Sequence, residues 1–329
     1  MRLITLKFHY HLIVNPSAGG GNGKQLSQEI IQLLEKNNYL YSTYFTEYPD
    51  HERFFTRELI ETTLIPWKKE HSHYDSDEIF PLLIVMGGDG TFHQVIDECY
   101  HSQADIPVAY IPAGSGNDFA RGFGISRDAT KAFWQIIKTK EPKTINILSY
   151  HEQISGNSGI AVNNIGIGID GAVIHQTTKS TTKKQLRKFN LGSMTYIFAI
   201  LNVLFKQKGF PILIEANGNE WNFKKAFLCT ITNHPYFGGG IAIAPSANSA
   251  IPNFEFVIVE RQHILKIFGL IFLLLFKKQE QSKDFIHFST NKLRLVSTVP
   301  QYGQVDGELI NKNPFDFTIV PINQQVWFS

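Results

Sequence analysis

Cysteine is almost missing from the chain: Cys99 and Cys229 are the only two among 329 residues. They lie far apart and lack the spacing of a disulfide framework or a zinc site, so neither is expected. That fits a reducing compartment, with both thiols packed as small apolar side chains. An excess of charge is missing too, since 31 Lys and Arg face 29 Asp and Glu and leave +2. No bulk field therefore argues for a nucleic acid partner, and partners must be inferred from sites. Nor does any apolar run reach the ~20 residues needed to span a bilayer. The most apolar stretch is 264–276 (ILKIFGLIFLLLF), and the N-terminal MRLITLKFHYHLIVNP reads as a strand and a turn, not as a signal peptide. A cytoplasmic protein is expected, long enough for two domains with separate cores.

What the chain does have is glycine at the ends of strands. The run 81–86 (PLLIVM) reads as a buried strand and 92–100 as a helix, with Gly87, Gly88, Asp89, Gly90 and Thr91 between them. Such glycines let backbone approach a ligand, and a helix start offers N–H groups to an anion. A carboxylate in that place repels phosphate unless a divalent cation lies between, so Asp89 implies Mg²⁺ with a nucleotide.

Two further turns repeat the arrangement. A strand ending at Val14 runs into Asn15, Pro16, Ser17, Ala18 and Gly19 before a helix to about Asn37; this turn fits neither Walker A nor GxGxxG. A strand at 107–111 delivers Ala113, Gly114, Ser115, Gly116, Asn117 and Asp118, of which Ser115, Asn117 and Asp118 can cap the following helix. A strand at 41–46 ends on Thr46, and a helix is expected over 50–63. Three βα units thus place ligand-type turns at carboxyl ends of strands, where open parallel sheets bind ligands.

From about Thr144 the pattern turns β-rich, with expected strands at 159–162, 211–215, 227–232 and 254–260 and a strand pair within 314–327. His71 and His73, in the polar interval 66–78, read as surface residues. The basic run 179–188 can meet anionic headgroups or sit in solvent. The stretch 264–276 reads as a helix, better packed in a core than docked on a membrane.

The string GGDGT resembles the signature of the diacylglycerol kinase catalytic family, which includes bacterial lipid kinases and sphingosine kinases, and more distantly NAD kinase. NPSAG at 15–19, GSGND at 114–118, GIGID at 166–170, HPYFGGG at 234–240 and DGE at 306–308 resemble further family segments, in family order. The resemblance implies a Rossmann-like α/β nucleotide domain (1–142, with 310–329 returning to it) and a C-terminal β-rich, sandwich-like domain (143–309). It implies an ATP- and Mg²⁺-dependent kinase acting on a lipid hydroxyl, most simply diacylglycerol. Asn15, Pro16, Ser17, Ala18, Gly19, Thr46, Gly87, Gly88, Asp89, Gly90, Thr91, Ser115, Gly116, Asn117 and Asp118 would line the nucleotide, with Asp89 at the metal. Asp170, Gly238 and Gly239 would face the lipid. Asp306 or Glu308 would take the proton, Asp306 being preferred.

Departures from the family pattern are Gln94 where Glu is common, Asp97 where Asn is usual, and 246–255, which keeps only Glu255 of an acidic metal loop. The competing readings are an NAD kinase and a lipid-binding regulatory protein that has lost catalysis. Peripheral membrane contact is expected, and association into a homodimer is left open.

Overall fold

The computed structural model describes residues 7–68, 79–179 and 202–328. The basic run 179–188 and the interval 66–78 with its two histidines lie largely outside them. The chain divides into two compact units. The first comprises Met1–Ile147, Gly238–Gly240 and Asn323–Ser329, the second Leu148–Phe237 and Ile241–Ile322.

In the first unit β1 (Lys7–Val14), α1 (Asn22–Lys36), β2 (Leu40–Phe45), α2 (His51–Thr62), β3 (Ile79–Gly87), α3 (Asp89–His101), β4 (Val108–Pro112), α4 (Asp118–Phe123) and α5 (Ala129–Lys138) alternate. The strands are parallel in the order β4-β3-β1-β2. Residues 82–87 of β3 and all of β4 are buried, as strands covered on both faces require, which explains why they read as continuous apolar runs. The chain's last residues complete this unit. Val326 pairs in parallel with Val108, and the Trp327 indole N–H donates to the Ile136 carbonyl at 3.1 Å.

β5 (Lys143–Glu152) leads into the second unit, with β6 (Ser158–Ala161), β7 (Asn164–Gly168), α6 (Ile169–Lys179), β8 (Phe210–Ala216), β9 (Asn219–Thr232), β10 (Tyr236–Phe237), β11 (Ile241–Ala242) and β12 (Phe254–Glu260). α7 (Ile264–Leu275), β13 (Phe285–Thr290), β14 (Leu293–Val305) and β15 (Glu308–Val326) follow. The sheet is antiparallel in the order β13-β12-β9-β7-β14-β15, and β8 bridges β9 and β14. Alternate residues of β8 (Phe210, Ile212, Ile214, Ala216) enter a core with Ile165, Ile167, Phe254 and Phe317.

Two expectations need correcting. The segment 314–327 is not a strand pair but part of one long strand, β15. Pro314 is tolerated because the ladder shifts register there, between the pairs Ser297–Phe315 and Gln301–Asn313. The α7 segment is a helix, yet only one of its faces is in a core: Ile267 is buried, whereas Leu265, Phe272 and Leu275 are exposed.

Candidate active site

The glycine turns of the first unit meet because the strands before them are neighbours in register. Val14 pairs with Phe45 and Met86, and Gly87 with Pro112, so 15–19, Thr46, 87–91 and 113–118 all leave one edge of the sheet. β2 lies on one side of β1 and β3 on the other, which makes this edge the topological switch point, the usual ligand crevice of such sheets. The Thr46 N–H donates to the Val14 carbonyl at 2.9 Å. Asn15 Nδ2 donates to Thr91 Oγ1 at 2.9 Å, tying the first turn to the second. Within the first turn, Asn15 Oδ1 accepts the Ser17 N–H, and Pro16 and Ala18 lead into the tight turn at Gly19.

The second and third turns touch through bare backbone. A Cβ on Gly114 would lie 2.6 Å from the Gly88 Cα, and one on Gly19, at φ 59°, would strike the Ala113 carbonyl. α3 starts at Asp89, three residues earlier than its apolar periodicity indicated, because Gly88 serves as its cap. No side chain caps that helix start, and Gly90 is exposed beside it. Such a start suits an anion.

Asp89 itself does something the sequence did not indicate. Its Oδ2 accepts the Asp118 N–H at 3.2 Å and its Oδ1 the Phe119 N–H at 3.1 Å, so it caps α4 from the neighbouring turn. Gly116 lies alongside, where a Cβ would sit 3.2 Å from Asp89 Oδ2. The capping expected of Ser115, Asn117 and Asp118 is therefore not found. Ser115 is exposed. Asn117, left-handed at φ 52°, instead closes its own loop by accepting the Gly114 N–H at 3.0 Å and donating to the Gly114 carbonyl at 2.9 Å. Asp118 turns to the glycines at 238–240, where its Oδ2 accepts the Gly239 N–H at 2.7 Å. Burial holds its carboxyl above the usual range, opposed by the Gly239 N–H and by Arg121. Gly238, Gly239 and Gly240 all have positive φ, so this loop is bent around Asp118. The displaced charge at Asp97 is met by Arg53, 2.6 Å away on α2.

In the second unit the DGE segment is a two-residue hairpin. Val305 pairs with Glu308, and Asp306 and Gly307 have φ 49° and 86°, the mirror-image turn that follows strand twist. The Asp306 carboxylate accepts three backbone N–H groups, from Val162 at 2.7 Å, Asn163 at 2.8 Å and Asn164 at 2.9 Å. Glu308 is exposed at the start of β15. Asn163 Oδ1 accepts from His234 Nε2 at 2.9 Å. His234 Nδ1 accepts the Tyr236 N–H, which puts its proton on Nε2, and burial pushes this imidazole down to about 4, so it is neutral.

Asp170, expected to face a substrate, is half-buried and is held by a neighbouring strand. It sits in the first turn of α6 with its carboxylate against Gly166, where a side chain would collide with it. Gln304 Nε2 donates to Asp170 Oδ2 at 2.8 Å and to Asn164 Oδ1, while Gln304 Oε1 accepts the Gly307 N–H at 2.7 Å. Gln304 thus connects a half-buried acid to the hairpin turn. Sequence reading gave no role to Gln304, Asn163 or His234; the local hints were a glycine at 166, in a strand, and the place of His234 at the head of the 234–240 segment.

Burial pushes the Asp170 carboxyl up to about 6, whereas the unfolded chain carries an ordinary aspartate near 3.9. The native state therefore holds this proton more tightly. Its stabilising contribution is complete below pH ~4 and is lost as pH rises through 6, by at most about 3 kcal/mol. Asp170→Asn keeps an acceptor for Gln304 without the charge. Its melting temperature is expected to gain on that of the native chain between pH 5 and pH 7.5. A difference that stays constant over that range refutes the assignment.

Two family models match the chain. The diacylglycerol kinase catalytic domain matches residues 9–150, and the YegS C-terminal NAD kinase beta sandwich-like domain matches 163–328. The chain is 28% identical over 320 residues to the Bacillus subtilis (strain 168) protein named "Putative lipid kinase YtlR", covering 95% of this chain and 97% of that one. It is 24% identical over 307 residues to a diacylglycerol kinase of Staphylococcus aureus (strain MRSA252), covering 93% and 88%. A solved Bacillus anthracis (str. Sterne) structure, described as a "putative diacylglycerol kinase", superposes with a TM-score of 0.76 over 100% of this chain and 98% of that one. At 19% identity that likeness shows the fold alone. With both domain models matched in order over nearly its whole length, the chain belongs to the diacylglycerol kinase catalytic family and is an enzyme of the lipid kinase type.

Proposed function

We propose that the protein transfers the γ-phosphoryl group of ATP, with Mg²⁺, to the primary hydroxyl of a lipid, with diacylglycerol as acceptor and phosphatidic acid as product. The observation that carries this is the junction of three glycine turns, held by Asn15–Thr91 and by the Gly88–Gly114 contact, with Asp89 set into it. The helix start at Gly88 and the bare backbone around it suit phosphate oxygens. The Asp89 oxygens accept the Asp118 and Phe119 amides, and a carboxylate oxygen can accept more than one hydrogen bond. Asp89 therefore fits a magnesium ion held mainly by phosphates and water, the usual arrangement for nucleotide-bound magnesium. When bound, such an ion neutralises charge developing on the phosphate oxygens.

The first unit, on this reading, binds the nucleotide and the second the lipid. The acceptor O–H gives its proton to a carboxylate of the hairpin, its oxygen bonds to the γ-phosphorus, and the bond to the β-phosphate oxygen breaks to release ADP. Asp306 is the preferred proton acceptor, since three amides hold it in one orientation and a general base must be positioned first. The protein would work in the cytoplasm, at a membrane that supplies its acceptor.

Incubation with γ-labelled ATP and a total lipid extract, with NAD in a parallel reaction, tests the reading. Label is expected in a lipid extractable into organic solvent and identifiable by mass. Label in NAD, or in neither, would overturn it.

A further inference from the structure

We propose that the outward face of α7, together with Phe205, is a surface that docks the protein on an anionic lipid bilayer. Ile264, Ile267, Leu270, Ile271 and Leu274 pack inward on a cluster with Leu204, Val257 and Val259. An amphipathic helix would put polar residues on the other side. Here the other side is Leu265, Phe268, Phe272, Leu275 and Phe276, exposed by 71%, 40%, 60%, 68% and 60%. Their spacing of three and four residues makes one stripe. Phe205, 59% exposed, extends it sideways, with its ring 6.4 Å from that of Phe268. Apolar side chains gathered in this way mark a binding surface more than a solvated one.

Charge selects the occupant. Lys277 and Lys278 follow the helix end, and Lys206 and Lys208 follow Phe205, all four exposed. Glu280 is the exposed acid in the same stretch, and Lys266 is paired with Asp284 at 3.7 Å. A second copy of the chain would set these lysines against themselves across a two-fold axis, because such an interface repeats one patch on both sides. An anionic headgroup layer over hydrocarbon complements both features: each lysine near such a surface contributes about fivefold to binding, and the rings enter the acyl boundary. Twelve residues at ~1.5 Å rise give a helix far shorter than the ~30 Å hydrocarbon core, so α7 lies in the interface and does not cross it.

The purpose of the surface rests on the lipid kinase reading, but its existence is tested separately. The full chain, without ATP or acceptor, is co-sedimented with phosphatidylglycerol–phosphatidylcholine vesicles and with pure phosphatidylcholine vesicles. The native chain should bind the anionic vesicles and release them as salt rises. Phe272→Ser with Leu275→Ser should lower binding at least about tenfold at every salt concentration, and Lys277→Gln with Lys278→Gln should lower it by up to about 25-fold at low salt and flatten the salt dependence. Melting temperatures should hold in both variants, as should turnover on a short-chain, water-soluble acceptor. Native chain indifferent to anionic vesicles, or Phe272→Ser with Leu275→Ser binding as well as native, overturns the proposal. So does a native dimer that this variant dissociates, which would make a second copy the occupant. Vesicle binding through this face with no lipid ever phosphorylated would leave the surface standing and remove the kinase reading.

Discussion

Asp89→Asn should lose phosphoryl transfer by about 10³-fold or more while the chain still folds. The substitution removes the negative charge of the 87–91 turn, where the helix start otherwise suits an anion. It also puts an amide NH₂ where one of two N–H groups now finds an acceptor, since the carboxylate caps α4 through Asp118 and Phe119. Loss of a cap costs about 1 kcal/mol, visible as a small drop in melting temperature but far short of unfolding. The two roles separate by titrating magnesium at fixed ATP. If Asp89 serves the ion, the residual activity of the variant should need much more magnesium than the native chain. Near-normal turnover with a lowered melting temperature would leave Asp89 as a helix cap only.

The second large effect is expected at Asp306. Asn tolerates the left-handed position at φ 49°, so Asp306→Asn should keep the Asp306–Gly307 turn and remove the charge alone. A general base lost in this way typically costs about 10² to 10⁴ in rate, seen in turnover at saturating ATP. Stability should fall as well, because one carboxylate now accepts from Val162, Asn163 and Asn164, and an amide cannot accept on both arms. Each buried N–H left without its acceptor costs about 1–3 kcal/mol. Glu308→Gln supplies the comparison: its side chain is exposed, so melting should fall less than in Asp306→Asn. A turnover loss confined to Glu308→Gln would move the base to Glu308 and leave Asp306 holding the hairpin against 162–164. Equal, small losses in both would mean that nucleotide and metal positioning carry the reaction without a protein base.

The sequence by itself determined the units of local structure and their chemical character. Apolar runs followed by glycines at 15–19, 87–91 and 113–118 specified βα turns, because backbone freedom and strand hydrophobicity are properties of a few consecutive residues. The change to alternating strands after about Thr144 was legible for the same reason, and the order of the motifs carried the family. What the sequence did not contain is which polar atoms would meet. Asp89 caps a helix 29 residues on, Asp118 holds a glycine 121 residues on, and Asp306 grips amides 142 to 144 residues before it. Nor could it say that Asp170 would meet Gln304, or which apolar face of α7 would be left exposed. Dihedral preference and hydrophobic period act over one or two turns of chain, whereas these pairings exist only once strands far apart in sequence lie in register and bring their ends together.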